Sequence, residues 1–406
     1  MTSIEETYLR LINKSCHTGK YNNGRYEAVL EEKEFSGELA GQLLQLAEKQ
    51  YTVPFLLEFL RGTSGYEYIK HQSKMMMFNY YQIEQFTYRT TCLLEKAHIP
   101  YILLKGISLA ACYPVPEYRK LGDLDILILD TDKLELAKKI LLENGYEPEE
   151  EECDHHLTYF YEFANGRRHM LELHYRIVGF YQYAPANRVI DRVFAPQRLQ
   201  PVCQNIEGRD YPVLPPTEYV FYMLHHMLKH YLYDGFGVRL LCDFSLYTDK
   251  HMQDIDFEQL KKWCRESGMD YFCAVVIACC KLYLGLSEKV PELIPVKAAE
   301  CDELMEQILG GHDVGNEKQS SLIYSGSYRK ANLAACFKEG HTQMKVRYPK
   351  LSKCILLWPF LWGMTFYYFM KNTYNIRHTT LRQTIMDFKA DNQKSEILHI
   401  FENREH

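Results

Sequence analysis

Gly122-Asp123-Leu124-Asp125-Ile126-Leu127-Ile128 is the stretch on which the fold of this chain turns. Residues 124–129 form an apolar run of strand length that opens on two aspartates two positions apart. Alternation along a strand sends side chains i and i+2 to one face, so Asp123 and Asp125 project together, roughly 7 Å apart along the backbone. The run is apolar on both faces, which predicts burial. Two anions beside a buried sheet repel each other and lose hydration unless a cation offsets that cost. A third acid, Glu172, stands in Met170-Leu171-Glu172-Leu173-His174, with apolar neighbours on the opposite face. Residues 156–163 and 168–177 flank Asn165-Gly166, a pair suited to a type I′ hairpin because both central positions there need positive φ. Such a hairpin would fold Glu172 back beside the two aspartates. Three carboxylates on adjacent strands predict a two-ion site, with hard oxygen ligands suited to Mg²⁺ or Mn²⁺. Two such ions, about 3.5–4 Å apart, activate a hydroxyl and hold a triphosphate. The bland reading is that Asp-x-Asp pairs also occur at solvated strand edges and loops.

Outward from this run, residues 101–104 read as a short strand ended by Gly106, with a small-residue helix candidate over 107–112. Lys105-Gly106 thus lies between a strand and a helix start, where backbone N–H groups and a lysine can meet phosphate oxygens. Asp130 or Thr131 can cap a helix carrying Leu134, Ala137, Ile140 and Leu141, which Gly145 stops. Residues 1–98 show helical patterning (Leu43, Leu44, Ala47; Phe55, Leu56, Phe59, Leu60) broken by Gly62 and Gly65. Beyond Pro185 the pattern becomes helical again. Val220, Phe221, Leu224, Met227, Leu228 and Tyr231 form one stripe, and Phe272, Val276, Cys279, Leu282 and Leu286 another, with Pro215-Pro216 as the entry. The expected organisation is a helical region over 1–98, a core over 99–185, a helical domain over 186–310 and a helical, aromatic region over 311–406.

The 406 residues are 47% hydrophobic, enough for at least one full core, and carry a formal charge of −6, which does not advertise the positive field of a non-specific nucleic-acid binder. The thirteen cysteines form no C-x-x-C pair, which fits reduced thiols in a cytosol. The start Met-Thr-Ser-Ile-Glu-Glu lacks the basic and apolar pattern of a signal peptide, so a cytoplasmic location is expected. Residues 354–370 are uncharged and rich in aromatics. As a helix they span about 25 Å, short of a bilayer core, and Pro359 and Gly363 interrupt them. Flanked by Lys345, Arg347, Lys350, Arg377 and Arg382, they suit either packing on the helical domain or peripheral contact with the inner face of an anionic membrane.

The runs Leu104-Lys105-Gly106, Tyr113-Pro114, Arg119-Lys120-Leu121-Gly122-Asp123-Leu124-Asp125-Ile126-Leu127, Gly145-Tyr146 and Leu171-Glu172-Leu173-His174 together resemble the uncharacterised nucleotidyltransferase family, often labelled nucleotidyltransferase family 5, of the DNA polymerase β superfamily. The resemblance covers about residues 70–260. It implies an α+β fold: a polymerase β-like nucleotidyltransferase core, a mixed sheet with flanking helices, between helical N- and C-terminal regions. It also implies an enzyme that takes a nucleoside triphosphate with Mg²⁺ or Mn²⁺ and transfers a nucleoside monophosphate to an acceptor. Asp123, Asp125 and Glu172 would then be the catalytic, metal-holding acids. Lys105, Gly106 and Ser108 would contact the triphosphate, and Arg119 would brace phosphate through its guanidinium or else be a surface arginine in a loop. The superfamily's usual Gly-Ser or Gly-Gly after the first strand is Gly106-Ile107 here, so phosphate handling is expected to differ.

His174 shares a strand face with Glu172, where it would orient that carboxylate or pack beside it, and His155 and His156 stand just before the hairpin. His226 and His230 are four apart but lack the glutamate of H-E-x-x-H, which argues against a zinc protease. With Arg239 and Asp243 they would line the acceptor or nucleotide side, or make polar contacts in the core. The acceptor is open between a small molecule, a protein side chain and an RNA end. The alternative to an enzyme is a nucleotide-binding regulatory or interaction protein with little turnover.

Overall fold

The computed structural model describes residues 1–17, 37–149, 155–181, 183–233, 235–310, 341, 344–345, 348, 351–365 and 367. Helices α1 (Ser3–His17), α2 (Gly37–Lys49) and α3 (Tyr66–Lys96) come first, as the N-terminal patterning predicts. In α3 the buried residues Ile69, Tyr80, Ile83, Phe86, Thr87, Thr90, Thr91 and Leu94 recur at helical spacing and form one inward stripe. Its buried threonines donate back to the carbonyls four residues earlier, Thr87 to Ile83 and Thr90 to Phe86 at 2.8 Å and Thr91 to Thr87 at 2.9 Å. No hydroxyl among these three is therefore stranded in the core.

Strand β1 (Tyr101–Leu103), the short α4 (Ile107–Ala110), β2 (Leu124–Ile128), α5 (Leu134–Glu143) and β3 (Tyr146–Pro148) follow in the expected alternation. Strands β4 (His156–Glu162) and β5 (Arg168–His174) then form the hairpin. After α6 (Ala184–Val193) come β6 (Val202–Ile206) and β7 (Arg209–Val213), and the sheet has the order β3-β4-β5-β2-β1-β7-β6. It is mixed: β1 runs antiparallel to β2 and parallel to β7, while β2 runs parallel to β5. Helices α7 (Pro216–Tyr233), α8 (Val238–Lys250), α9 (Phe257–Glu266), α10 (Asp270–Leu284) and α11 (Ala298–Gly310) complete the helical region. The architecture is α+β, a mixed sheet flanked by helices with helical stretches before and after it.

The pleat separates two functions. One face of the sheet carries Tyr146, Tyr161 and His169, and α3 lies across it, with the Phe86 ring 5.9, 6.1 and 5.7 Å from theirs. Leu171 and Leu173 are fully buried on the same face. The opposite face carries Asp125, Glu172, His174 and His156, because these positions alternate with the core leucines.

Three local readings are corrected by the structure. Asn165-Gly166 is not a type I′ turn, because only Gly166 has positive φ, at +77°. Gly166 N–H donates to Phe163 O at 2.8 Å and Arg167 N–H to Asn165 Oδ1 at 3.1 Å, which gives a three-residue loop closed by glycine. Residues 202–213, expected to be helical, form a hairpin on the sheet, turned at Glu207 (φ +49°) and Gly208 (φ +79°) with Ile206 paired to Arg209. Leu282, assigned to the stripe of α10, is 54% exposed, because the buried face of the last turn runs through Cys279, Cys280 and Leu284, and Leu286 is buried only after Gly285 (φ +72°) ends the helix.

Of the aromatic segment 354–370, residues 354–365 and 367 are described, and the rest of it, with most of 311–406, lies outside the described residues. Ile355, Leu356 and Phe360 are exposed there, while Trp358, Trp362 and His341 pack their rings together. Among the described residues no helix is long and apolar enough to cross a membrane.

Candidate active site

Register places the acids. Asp125 on β2 is the direct cross-strand partner of Glu172 on the parallel β5, and Leu127 is the partner of His174. Asp123 precedes β2 by one residue, on the same face as Asp125. Lys105 reaches in from the turn between β1 and α4, with Nζ 3.1 Å from Asp123 Oδ2 and 3.3 Å from Asp125 Oδ1. That turn is stitched to β2 by Leu104 N–H, which donates to Asp125 O at 3.1 Å. Gly106 adopts φ 78°, ψ −120°, a backbone conformation open only to glycine. An added Cβ would find only Asp123 O within 4 Å, at 3.9 Å, so conformation rather than space demands glycine there.

His174 Nε2 lies 3.2 Å from both Asp125 Oδ1 and Glu172 Oε2. His156 Nε2 stands 3.8 Å from the other oxygen of Glu172, and its Nδ1 is 3.1 Å from His155 Nε2. Lys229 on α7 closes the row, 3.1 Å from His155 Nε2. Asp125 is 1% exposed, and while its Oδ1 meets Lys105 and His174, its Oδ2 is buried with no hydrogen-bond partner among the described residues.

The electrostatics follow from this crowding. Burial, with Asp123 alongside, pushes the Asp125 carboxyl up to about 7 against the pull of Lys105. Burial works to lower the pKa of Lys105, but Asp123 and Asp125 override it and hold the ammonium charged. For Glu172 burial is outweighed by the hydrogen bond from His174 and the charge of Lys105, so the carboxyl lies well below its ordinary range. Burial likewise works against charge on His174, but Asp125 and Glu172 raise it to about 9. His156, with weaker partners, is lowered by burial to about 4.

A cleft of 390 Å³ opens over the acids and is walled on its far side by α7 and α8. Lys105, Gly106, Arg119, Asp123, Asp125 and Glu172 all line it. Ser108 does not: it is 1% exposed and its hydroxyl lies 2.7 Å from Tyr219 OH in the core. Arg119 lines the cleft as a buried residue, not a surface loop arginine. Its Nε and Nη2 donate to the two oxygens of Asp243 and its Nη1 donates to Gly106 O at 3.4 Å. His226, His230, Arg239 and Asp243 reach the cleft from the helices, as the sequence allowed. Tyr222 lines it too and was not anticipated, although it precedes His226 by four residues and so shares its helix face.

The oxygens of Asp125 and Glu172, with the imidazole of His174, come close enough to share one ion, and the unpartnered Oδ2 of Asp125 leaves an acceptor that a cation would satisfy. The donor set therefore fits a divalent metal.

A mixed sheet that sets a strand-opening Asp-x-Asp beside a glutamate on the adjoining parallel strand, below a lysine-glycine turn, is built as a nucleotidyltransferase core. The chain belongs to the uncharacterised nucleotidyltransferase family, which it matches over residues 38–285. It is also similar to the crystal structure of an antigenic nucleotidyltransferase-like protein from Paracoccidioides brasiliensis, at 15% identity and a TM-score of 0.31, over 50% of this chain and 90% of that one. No curated protein matches it.

Proposed function

We propose that the protein is a divalent-metal-dependent nucleotidyltransferase that moves a nucleoside monophosphate from a nucleoside triphosphate to an acceptor hydroxyl. Asp123, Asp125 and Glu172 are its metal-holding acids. The observation that carries this reading is the state of Asp125: a carboxylate in register with Glu172, beside Asp123, with one oxygen buried and unpartnered. Such a grouping is costly for stability alone, and functional sites are where costs of this kind are tolerated. Bound divalent ions, Mg²⁺ or Mn²⁺, would supply charge neutralisation on the triphosphate and a more acidic acceptor hydroxyl. Lys105, already within reach of both aspartates, would meet phosphate oxygens from a turn whose backbone conformation Gly106 makes possible. Tyr222 and His226 on α7 face the acids across the cleft and offer flat surfaces to a base or an acceptor.

The test is incubation of the protein with Mg²⁺ or Mn²⁺ and each labelled nucleoside triphosphate, alongside Asp125→Asn. Metal-dependent pyrophosphate release or labelling, lost in the variant, is expected. Turnover unchanged in Asp125→Asn would exclude this site. Tight nucleotide binding with no turnover in any extract fraction would favour a regulatory nucleotide-binding protein instead.

A further inference from the structure

The cleft holds more nitrogen than a magnesium site calls for. His174 Nε2, Asp125 Oδ1 and Glu172 Oε2 form a compact group, with the nitrogen 3.2 Å from each oxygen. Two ligand atoms each about 2.1 Å from an ion stand about 3.0 Å apart at a right angle and about 3.4 Å apart at the tetrahedral angle. The observed spacing falls between those limits, so the nitrogen stands from each oxygen at the distance of two ligands that share a first-row ion, and Oδ2 of Asp125 is open to the same ion. They are held there from several sides. His174 sits opposite His156 in the β4–β5 ladder, and His156 Nε2 approaches the oxygen of Glu172 that His174 does not use. The ring of His155 lies 4.4 Å from that of His156 and 5.5 Å from that of His174, so the imidazoles pack as a block. His174, 4% exposed, has little freedom to turn away.

We propose that His174 is itself a metal ligand, the ion displacing to solvent the proton that its Nε2 shares with the two carboxylates, and that with Asp125 and Glu172 it makes a mixed nitrogen and oxygen site that selects a first-row transition ion of the Mn²⁺ or Co²⁺ class over Mg²⁺. Magnesium favours oxygen donors and keeps its waters, whereas imidazole suits the transition ions, so one histidine among the first ligands tilts the preference. The inference rests on the transfer reading for the role of the ion, but binding is measured without nucleotide, so the two can fail separately.

The experiment loads the full chain with Mn²⁺ and records pulsed electron paramagnetic resonance for nitrogen coupling. Co²⁺ titration of visible absorption, and competition by Mg²⁺, give affinities. Expected are imidazole nitrogen coupling in the wild type, its loss in His174→Asn, and Mn²⁺ or Co²⁺ binding weakened about tenfold or more in that variant. Magnesium affinity should change far less. A wild-type signal free of nitrogen coupling overturns the proposal without any variant, so a His174→Asn chain that fails to fold does not shelter it. Coupling that persists in a folded His174→Asn, or Mg²⁺ binding as tight as Mn²⁺, overturns it as well. Pyrophosphate release with Mg²⁺ alone would leave the transfer reading standing even then.

Discussion

Arg119 and Asp243, 124 residues apart, meet as a two-pronged ion pair, with Nε and Nη2 each 2.7 Å from a different carboxylate oxygen and both side chains 3% exposed. Tyr113 OH also donates to Asp243 Oδ1 at 2.6 Å, and the third arm of the guanidinium reaches Gly106 O. The pair therefore ties α8 to the turn that carries Lys105. Removing one partner leaves the other as a buried lone charge, so Asp243→Asn or Arg119→Met should cost about 3–5 kcal/mol in urea unfolding. The double variant Arg119→Met, Asp243→Leu should cost much less than the sum of its singles, because neither charge is then stranded. Additive losses would mean that the two groups do not act as a pair.

Asp125 makes the opposite case. Burial and the neighbouring Asp123 disfavour its charge, and Lys105 and His174 only partly offset that. Asp125→Asn should therefore unfold at higher urea concentration than wild type in metal-free buffer at pH 7, by about 1–2 kcal/mol, while transfer falls to background. A variant that is both inactive and less stable would show that the contacts to Lys105 and His174 outweigh the cost of the buried charge.

How far the chain could be read follows from what each residue depends on. That Asp123 and Asp125 share a face was legible because strand alternation is a local rule, and the apolar neighbours of Glu172 marked its face in the same way, but the placing of Asp125 opposite Glu172 depends on the parallel pairing of β2 with β5. His174 was seen only as a neighbour of Glu172, since the approach of its ring to Asp125 requires the parallel pairing of β2 with β5. That Arg119 is taken by Asp243 was hidden, because nothing in a single sequence announces a partner 124 residues away. Ser108 reads as a phosphate contact from its place after the glycine, yet α4 turns it inward onto Tyr219. The β6–β7 hairpin escaped because its turn carries glutamate where asparagine or aspartate is the usual signal, and its strands are polar at an edge of the sheet.

That turn offers a direct test. Glu207 holds φ +49° and Gly208 φ +79°, the two positive values a type I′ turn requires. Glutamate is a poor occupant of a left-handed position, where asparagine is tolerated. Its charge also raises the pKa of the partly buried Glu84, second to the effect of burial itself. Glu207→Asn removes both penalties and should raise stability by about 0.5–1 kcal/mol, read as a higher midpoint in urea with an unchanged slope. A lower midpoint would mean that the side chain of Glu207 contributes more than its backbone costs.

His225 makes the fold sensitive to acid. It is fully buried on α7, Nδ1 lies 3.1 Å from Tyr181 OH, its ring stands edge-on to Phe221, and Nε2 has no hydrogen-bond partner among the described residues. Burial, with Arg176 nearby, lowers its pKa from 6.5 to about 3. Below pH 6.5 the unfolded chain takes up a proton that the folded chain refuses until about pH 3, so the contribution of this residue is intact at neutral pH and is lost as the pH falls between those values. The slope approaches about 1.4 kcal/mol per pH unit in that window. His225→Gln keeps a polar group for Tyr181 but cannot titrate. Between pH 6 and 4.5 its unfolding free energy should fall about 1–2 kcal/mol less than that of the wild type, measured by urea denaturation at each pH. Parallel curves for the two proteins would show that His225 accepts its proton in the folded state as readily as in the unfolded one, and the acid sensitivity would then belong to other groups.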